Sequence, residues 1–326
     1  GRIGADLMVK RNRILFIIAL ILVAVVVAAG AFMASTPKEE TKVLRIGVLP
    51  VIDTLPLHVA EEEGLFDQEG IDVQLVEFNS ALERDAAFTA GSIQGYFGDL
   101  VNTLVLRKTM DVRVVTVDYR TLADNRMFAI LASPNSGISD ITQLNGTSIA
   151  TSVASISEYF MTEMLTANGI TDEVLVQQVP AIPIRYSSLL SDQISVAVLP
   201  EPFVTRAISD GAILLTDDRA VNTTATVIAL RGDWISENQQ AAKSFLKAYN
   251  ASVAKVNEDP WRYSQVLYDK LHFPEELRNT FAFPPLSPVT LPAGEDLERV
   301  QDWMMDIGIL TERFSFNDVM ATGLHG

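Results

Sequence analysis

Short apolar runs alternate with amphipathic stretches along nearly all of the chain after residue 43. The pattern predicts strands over 43–49, 71–78, 94–98 and 112–118, with helices over 57–63, 82–90 and 100–108 between them. Gly64 and Gly91 stand where two of those helices should stop. Strand–helix–strand alternation with short links implies parallel βαβ units and a doubly wound sheet. After a loop at 119–126 the rhythm restarts. Strands are expected over 127–131, 147–151, 174–179 and 195–199, and helices over 155–168 and 184–190. Ile156, Tyr159, Phe160 and Met164 fall on one face of the 155–168 helix, and Gly169 is its stop. A last strand is expected over 226–231, and the remainder reads as mainly helical. There Phe245, Tyr249, Val253 and Val256 share a face, as do Leu297, Val300 and Met304, while the proline-rich run 283–288 must be a non-helical connector.

The doubled rhythm implies two α/β lobes, one of 43–125 plus 222–326 and the other of 126–221. The chain would cross between them near 120–130 and again near 218–228. Two crossings make a hinge, and a cleft between hinged lobes is a ligand trap.

The first 40 residues follow a different pattern. A basic cluster, Lys10, Arg11 and Arg13, precedes an uncharged run over 14–34 dense in Ile, Leu, Val and Ala. At 1.5 Å per helical residue its 21 positions reach about 31 Å, the thickness of a bilayer core. The flanking charges predict an N-inside, C-outside orientation, so the body is expected outside the cytoplasm. Two readings stay open: a cleaved signal peptide ending at Ala29-Gly30-Ala31, or an uncleaved anchor, which the length of the run favours. Residues 1–7 precede Met8, the expected initiator.

Charge and composition narrow the function classes. The net charge is −16; residues 1–34 carry four basic side chains against one acid, a net +3, which leaves about −19 for the rest. Phosphate backbones would repel such a body, so nucleic acid is not an expected partner. There is no cysteine, which excludes disulfides, thiolate catalysis and cysteine-bearing metal centres. The three histidines, His58, His272 and His325, lie far apart, so no metal, cofactor or catalytic residue is expected.

Three segments carry a family resemblance: Leu44-Arg45-Ile46-Gly47-Val48, Leu55-Pro56-Leu57-His58-Val59-Ala60 and the run from Gly64 to Val73. Together they resemble the opening of the substrate-binding proteins of ABC importers for nitrate, sulfonates and thiamine-pyrimidine precursors. Phe88-Thr89-Ala90-Gly91, Leu144-Asn145-Gly146 and Leu199-Pro200-Glu201-Pro202 add to it. The sequence departs from that family at Gln94-Gly95, where an aspartate is usual, and at 192–196. The resemblance implies a periplasmic-binding-protein-like fold of type II and a monomeric receptor that hands a small molecule to an ABC permease. An enzyme branch of the family makes a thiamine precursor with a cysteine-rich motif, which a chain without cysteine cannot carry. A membrane-tethered ligand sensor is a further reading, but only about 13 residues precede the apolar run.

Ligands in such folds sit at loops after the carboxyl ends of strands. Four loops qualify. Asp53 and Thr54 follow the first strand; Gly98 would let a ligand approach the backbone, and Asp99 would either bind it or cap the next helix. Ser152 and Ser155 open a helix whose free amides suit an anion, while Glu201 is a poor helix cap and therefore a ligand candidate. Tyr119, Arg120 and Asp124 could line the cleft from the first crossing, and Trp234, Trp261 and Trp303 read as core. With three acids against Arg120 alone, the ligand is expected to bear an amine or a pyrimidine.

Overall fold

The computed structural model describes residues 43–170 and 174–325. The expected membrane segment at 14–34 lies outside the described residues, and no helix among those described is long and apolar enough to cross a membrane.

Among the described residues, ten strands form two five-stranded sheets. In chain order they are β1 (Val43–Val48), β2 (Asp72–Glu77), β3 (Gly95–Gly98), β4 (Val112–Arg120), β5 (Phe128–Ala132), β6 (Ser148–Thr151), β7 (Leu175–Gln178), β8 (Val196–Pro200), β9 (Ile213–Asp217) and β10 (Thr224–Arg231). The first sheet runs β2-β1-β3-β10-β4 and the second β7-β6-β8-β5-β9. The helices that matter here are α1 (Leu55–Glu62), α2 (Ala81–Thr89), α3 (Leu100–Arg107), α4 (Ile156–Ala167), α5 (Ile182–Leu190), α6 (Phe203–Ser209), α7 (Gln239–Glu258) and α8 (Gly294–Asp306). Strands buried on both faces, such as Phe128–Ala132 and Val196–Pro200, read as continuous apolar runs, which is why the pattern found them.

The expected parallel βαβ units are present, and each sheet adds antiparallel strands to them. β1, β2 and β3 are mutually parallel, as are β6, β7 and β8, but β10 runs antiparallel to β3 and β4, and β5 antiparallel to β8 and β9. The reason is topological. β5 is the first strand after the chain leaves the first sheet, and β10 the first after it returns. Each enters from the edge where the two sheets face one another, the edge at which the parallel strands end. The expected loop at 119–126 is also shorter, because β4 pairs with β10 through Arg120 and carries Tyr119 into the sheet. Strand β9 was not expected from the pattern; it is half-buried along its length and lacks clean alternation.

Both crossings are held by one carboxylate. Asp296, buried in the first turn of α8, accepts from Arg120 at the end of β4 and from the Thr224 amide (3.1 Å) and hydroxyl (2.8 Å) at the start of β10. Arg299 Nη2 adds a contact at 2.6 Å. Burial opposes the charge on Asp296, but these donors outweigh it and hold the carboxyl below its ordinary range. The same helix leans on α4, with the Trp303 ring 5.3 Å from Tyr159 and its Nε1 donating to Thr162 at 3.3 Å. Of the three tryptophans, Trp303 is buried, while Trp234 and Trp261 pack against the core half-buried. Asp296→Ala is expected to lower stability by about 2–3 kcal/mol in urea unfolding, less than for a fully buried pair because Arg120 and Arg299 are 37% and 44% exposed. Asp302→Ala, which removes an exposed ion pair on the same helix, should change it by less than about 1 kcal/mol.

Candidate functional site

Where the two sheets meet, their strand ends enclose a narrow cleft with a cavity of about 40 Å³. The floor comes from Leu49, Phe97 and Gly98 at the ends of β1 and β3, and from Phe128, Pro200 and Thr226 at the facing ends of β5, β8 and β10. In this form it has room for a few water molecules and no more. Hydrogen bonds span the boundary between the sheets: Ile52 N to Glu201 O at 3.1 Å, Ile182 N to Asn79 O at 3.1 Å, and Asn102 Nδ2 to Ala154 O at 3.3 Å.

Five of the seven residues singled out from the sequence lie in this lining: Asp53, Gly98, Asp99, Ser152 and Ser155. Asp53 is buried on a short 3-10 turn and accepts from Thr226 Oγ1 at 2.7 Å; burial pushes its carboxyl up to about 6. Gly98 leaves no room for a side chain, since an added Cβ would lie 2.7 Å from the Tyr96 ring and 3.0 Å from Arg84 Nη1. Asp99 caps α3 by accepting from Asn102 N at 2.8 Å and also faces the Ile156 amide that opens α4. Burial lifts it to about 6, against the pull of Arg84 and the two amides. The helix start expected to offer free amides is therefore largely occupied: Ser155 caps it at 3.2 Å, Glu158 takes the Ala154 amide at 2.6 Å, and Gln178 takes that of Val153 at 2.6 Å.

Thr54 and Glu201 stand outside the lining. The Thr54 hydroxyl donates to Val51 O at 2.7 Å and braces its own turn. Glu201 is buried and satisfied internally, by Arg126 Nε at 3.0 Å and by the amide and hydroxyl of Thr205 at 3.0 and 2.9 Å. Its carboxyl is raised by burial, with Arg126 opposing. Tyr119, Arg120 and Asp124 do not line the cleft either; Arg120 is committed to Asp296.

The cleft's cations were not anticipated. Arg84 on α2 and Arg185 on α5 are both fully buried and both reach the lining. They occupy equivalent places. Arg84 Nη1 donates to Phe97 O at 2.6 Å and Arg185 Nε to Val198 O at 2.7 Å, each spanning 13 residues from a helix to the strand that follows it. The two pairs are 101 positions apart in the chain (84 to 185, 97 to 198), the offset of one lobe from the other. Their charge balance differs. Burial disfavours the Arg84 cation, but Asp85 and Asp99 hold its pKa above the ordinary value. Arg185 donates to two carbonyls, Val198 O and Val179 O (both 2.7 Å), has no ion-pair partner among the described residues, and keeps Nη2 buried without an acceptor. Burial alone pushes it down to about 10, so it stays a cation at neutral pH. A desolvated guanidinium without a counter-charge is costly, and an acceptor on a ligand would relieve it.

The sequence profile of the NMT1/THI5-like family matches residues 52–262. The chain belongs to that family. A curated relative, the putative aliphatic sulfonates-binding protein of Bacillus subtilis, is 30% identical over 148 residues, which is 43% of this chain and 42% of that protein. The match thus spans less than half of the relative's length. Among solved structures, the alkanesulfonate-binding protein of Xanthomonas axonopodis pv. citri bound to MOPS superposes with a TM-score of 0.73 at 17% identity, covering 86% of this chain and 97% of that one. The periplasmic nitrate-binding protein of Synechocystis gives 0.68 at 14% identity, covering 87% of each. These likenesses lie in the fold, which is that of the periplasmic binding proteins.

The placement of Glu201 yields a test. Glu201→Ala strands the half-buried Arg126 and is expected to cost roughly 3 kcal/mol of stability in thermal or urea unfolding. Asp99→Asn keeps an acceptor for the helix cap and should cost less than about 1 kcal/mol.

Proposed function

We propose that this protein is an extracytoplasmic solute receptor that closes on a small organic anion and delivers it to an ABC import permease. Arg185 carries the reading. Evolution of a packed lobe offers no stability reason to bury a guanidinium with one nitrogen unsatisfied, whereas an acidic group on a ligand turns the same feature into affinity. A sulfonate suits it, since a fork of N–H donors matches an oxyanion, and the name of the Bacillus subtilis relative points to the same class. The bodies that move are 43–125 with 222–326, and 126–221. Binding without turnover fits a cleft whose two carboxyls hold structural partners, Asp53 the Thr226 hydroxyl and Asp99 the Asn102 amide. Residues 14–34 would anchor or export the body, which acts as a monomer.

Asp53 and Asp99 support a second reading, the amine- or pyrimidine-bearing ligand expected from the sequence. Both carboxyls are lifted to about 6 by burial, and a donor on the ligand would relieve that cost. A ligand carrying an acidic and a basic end satisfies both.

A thermal-shift screen of alkanesulfonates, nitrate, aminopyrimidines and zwitterionic sulfonates separates these readings. A true ligand at a hundredfold excess over its Kd stabilises by about 2.7 kcal/mol, and closure should reduce the radius of gyration in X-ray scattering. Arg185→Met is expected to weaken sulfonate binding by about 2–5 kcal/mol. Aminopyrimidine binding that survives Arg185→Met, with no response to any sulfonate, would favour the second reading. Conversion of a bound compound to product would refute the receptor.

A further inference from the structure

Behind Asp53, away from the cleft, lies a second buried carboxyl. Asp118 on β4 is fully buried and, like Asp53, has no ion-pair partner among the described residues. Thr226 Oγ1 stands between them, 2.7 Å from Asp53 Oδ2 and 3.1 Å from Asp118 Oδ2. A hydroxyl has one hydrogen and can donate to one carboxyl only. The other oxygen of Asp118 accepts from the Tyr249 hydroxyl on α7. The titratable groups around the pair bring no positive charge: Tyr249 from α7, Tyr119 from β4 and, beyond Tyr119, Asp218 from the turn after β9. The guanidiniums of the cleft bond elsewhere, Arg84 to Phe97 O and Asp85, and Arg185 to Val198 O and Val179 O, and neither hydrogen-bonds to the pair. Two like charges this close in a dry site cannot both persist.

We propose that Asp53 and Asp118 hold one proton between them at neutral pH, so that the floor of the cleft titrates as a unit and sets the affinity for solute. Burial raises both carboxyls, and the charge of Asp53 lifts Asp118 further, well above its ordinary value. Asp118 acts through Asp53 and is a positioning residue. A folded-state pKa above the unfolded one means that the stability tied to the pair is complete below about pH 4 and is lost as pH rises through the folded values. An anionic solute raises the proton affinity of the pair, so it binds with proton uptake and its affinity climbs toward acid pH by up to about tenfold per unit. That last linkage rests on the anionic reading; the shared proton does not.

The shared proton is tested on unliganded protein. Infrared difference spectra at about pH 7.5 should show a buried protonated carboxyl in the wild type that Asp118→Asn removes. The melting temperature of the wild type should fall as pH rises through the titration of the pair, and Asp118→Asn should abolish most of that fall. Asp53→Asn should move the midpoint of the infrared band to lower pH by about one unit or more, and this variant decides the matter if Asp118→Asn does not fold. Absence of the band in the wild type, its persistence in Asp118→Asn, or an unmoved midpoint in Asp53→Asn overturns the proposal. For the linkage, ethanesulfonate is titrated calorimetrically in two buffers of different ionisation enthalpy. Proton uptake is expected, and release or no exchange refutes the linkage. No binding at all refutes the anionic reading and leaves the infrared result to judge the pair.

Discussion

A chain that passes twice between two sheets must enter each sheet from the edge where the sheets face. That constraint organises this molecule. It forces β5 and β10 to run against their neighbours and brings their opening turns, at Phe128 and Thr226, to the same edge as the ends of β1, β3, β6 and β8. Free backbone ends and helix starts therefore converge on one shared boundary, where polar groups must be buried. The side chains that satisfy them, Asp53, Asp99, Arg84 and Arg185, become the walls of the cleft.

The same constraint explains how the two halves hold together. Asp296 ties the end of β4 to the start of β10, the two points where the chain leaves and rejoins the first sheet, and Trp303 on the same helix rests against α4 of the other sheet. The fixing groups thus lie at the two places where the chain passes between the sheets, outside the lining of the cleft.

Much of this was legible in the sequence because inner strands such as β5 and β8 are continuous apolar runs and helices end on glycines such as Gly64 and Gly91. The antiparallel insertions were not, since periodicity carries no strand direction. Among the site residues, Asp99 and Ser155 were visible as helix starts, and both do cap helices. Glu201 looked like a ligand group because it caps poorly, but its partner Arg126 is 75 residues away in the chain, a pairing that spacing cannot reveal. Arg84 and Arg185 looked like ordinary basic residues on helices. Their one signal was repetition: each stands 13 residues before the carbonyl it binds, and the two pairs recur 101 positions apart (84 to 185, 97 to 198), but the surrounding residues differ too much for that repeat to be noticed.

The chemistry of the cleft then follows from unequal neutralisation. Arg84 is balanced by Asp85 and Asp99, the two carboxyls Asp53 and Asp118 are left with hydroxyl partners, and Arg185 keeps an open valence. The most direct test is a crystal structure grown with a short alkanesulfonate. A sulfonate oxygen is expected within hydrogen-bond distance of Arg185 Nη2, with the sheets closed around it. A ligand seated in the cleft with Arg185 Nη2 still unpartnered would contradict it.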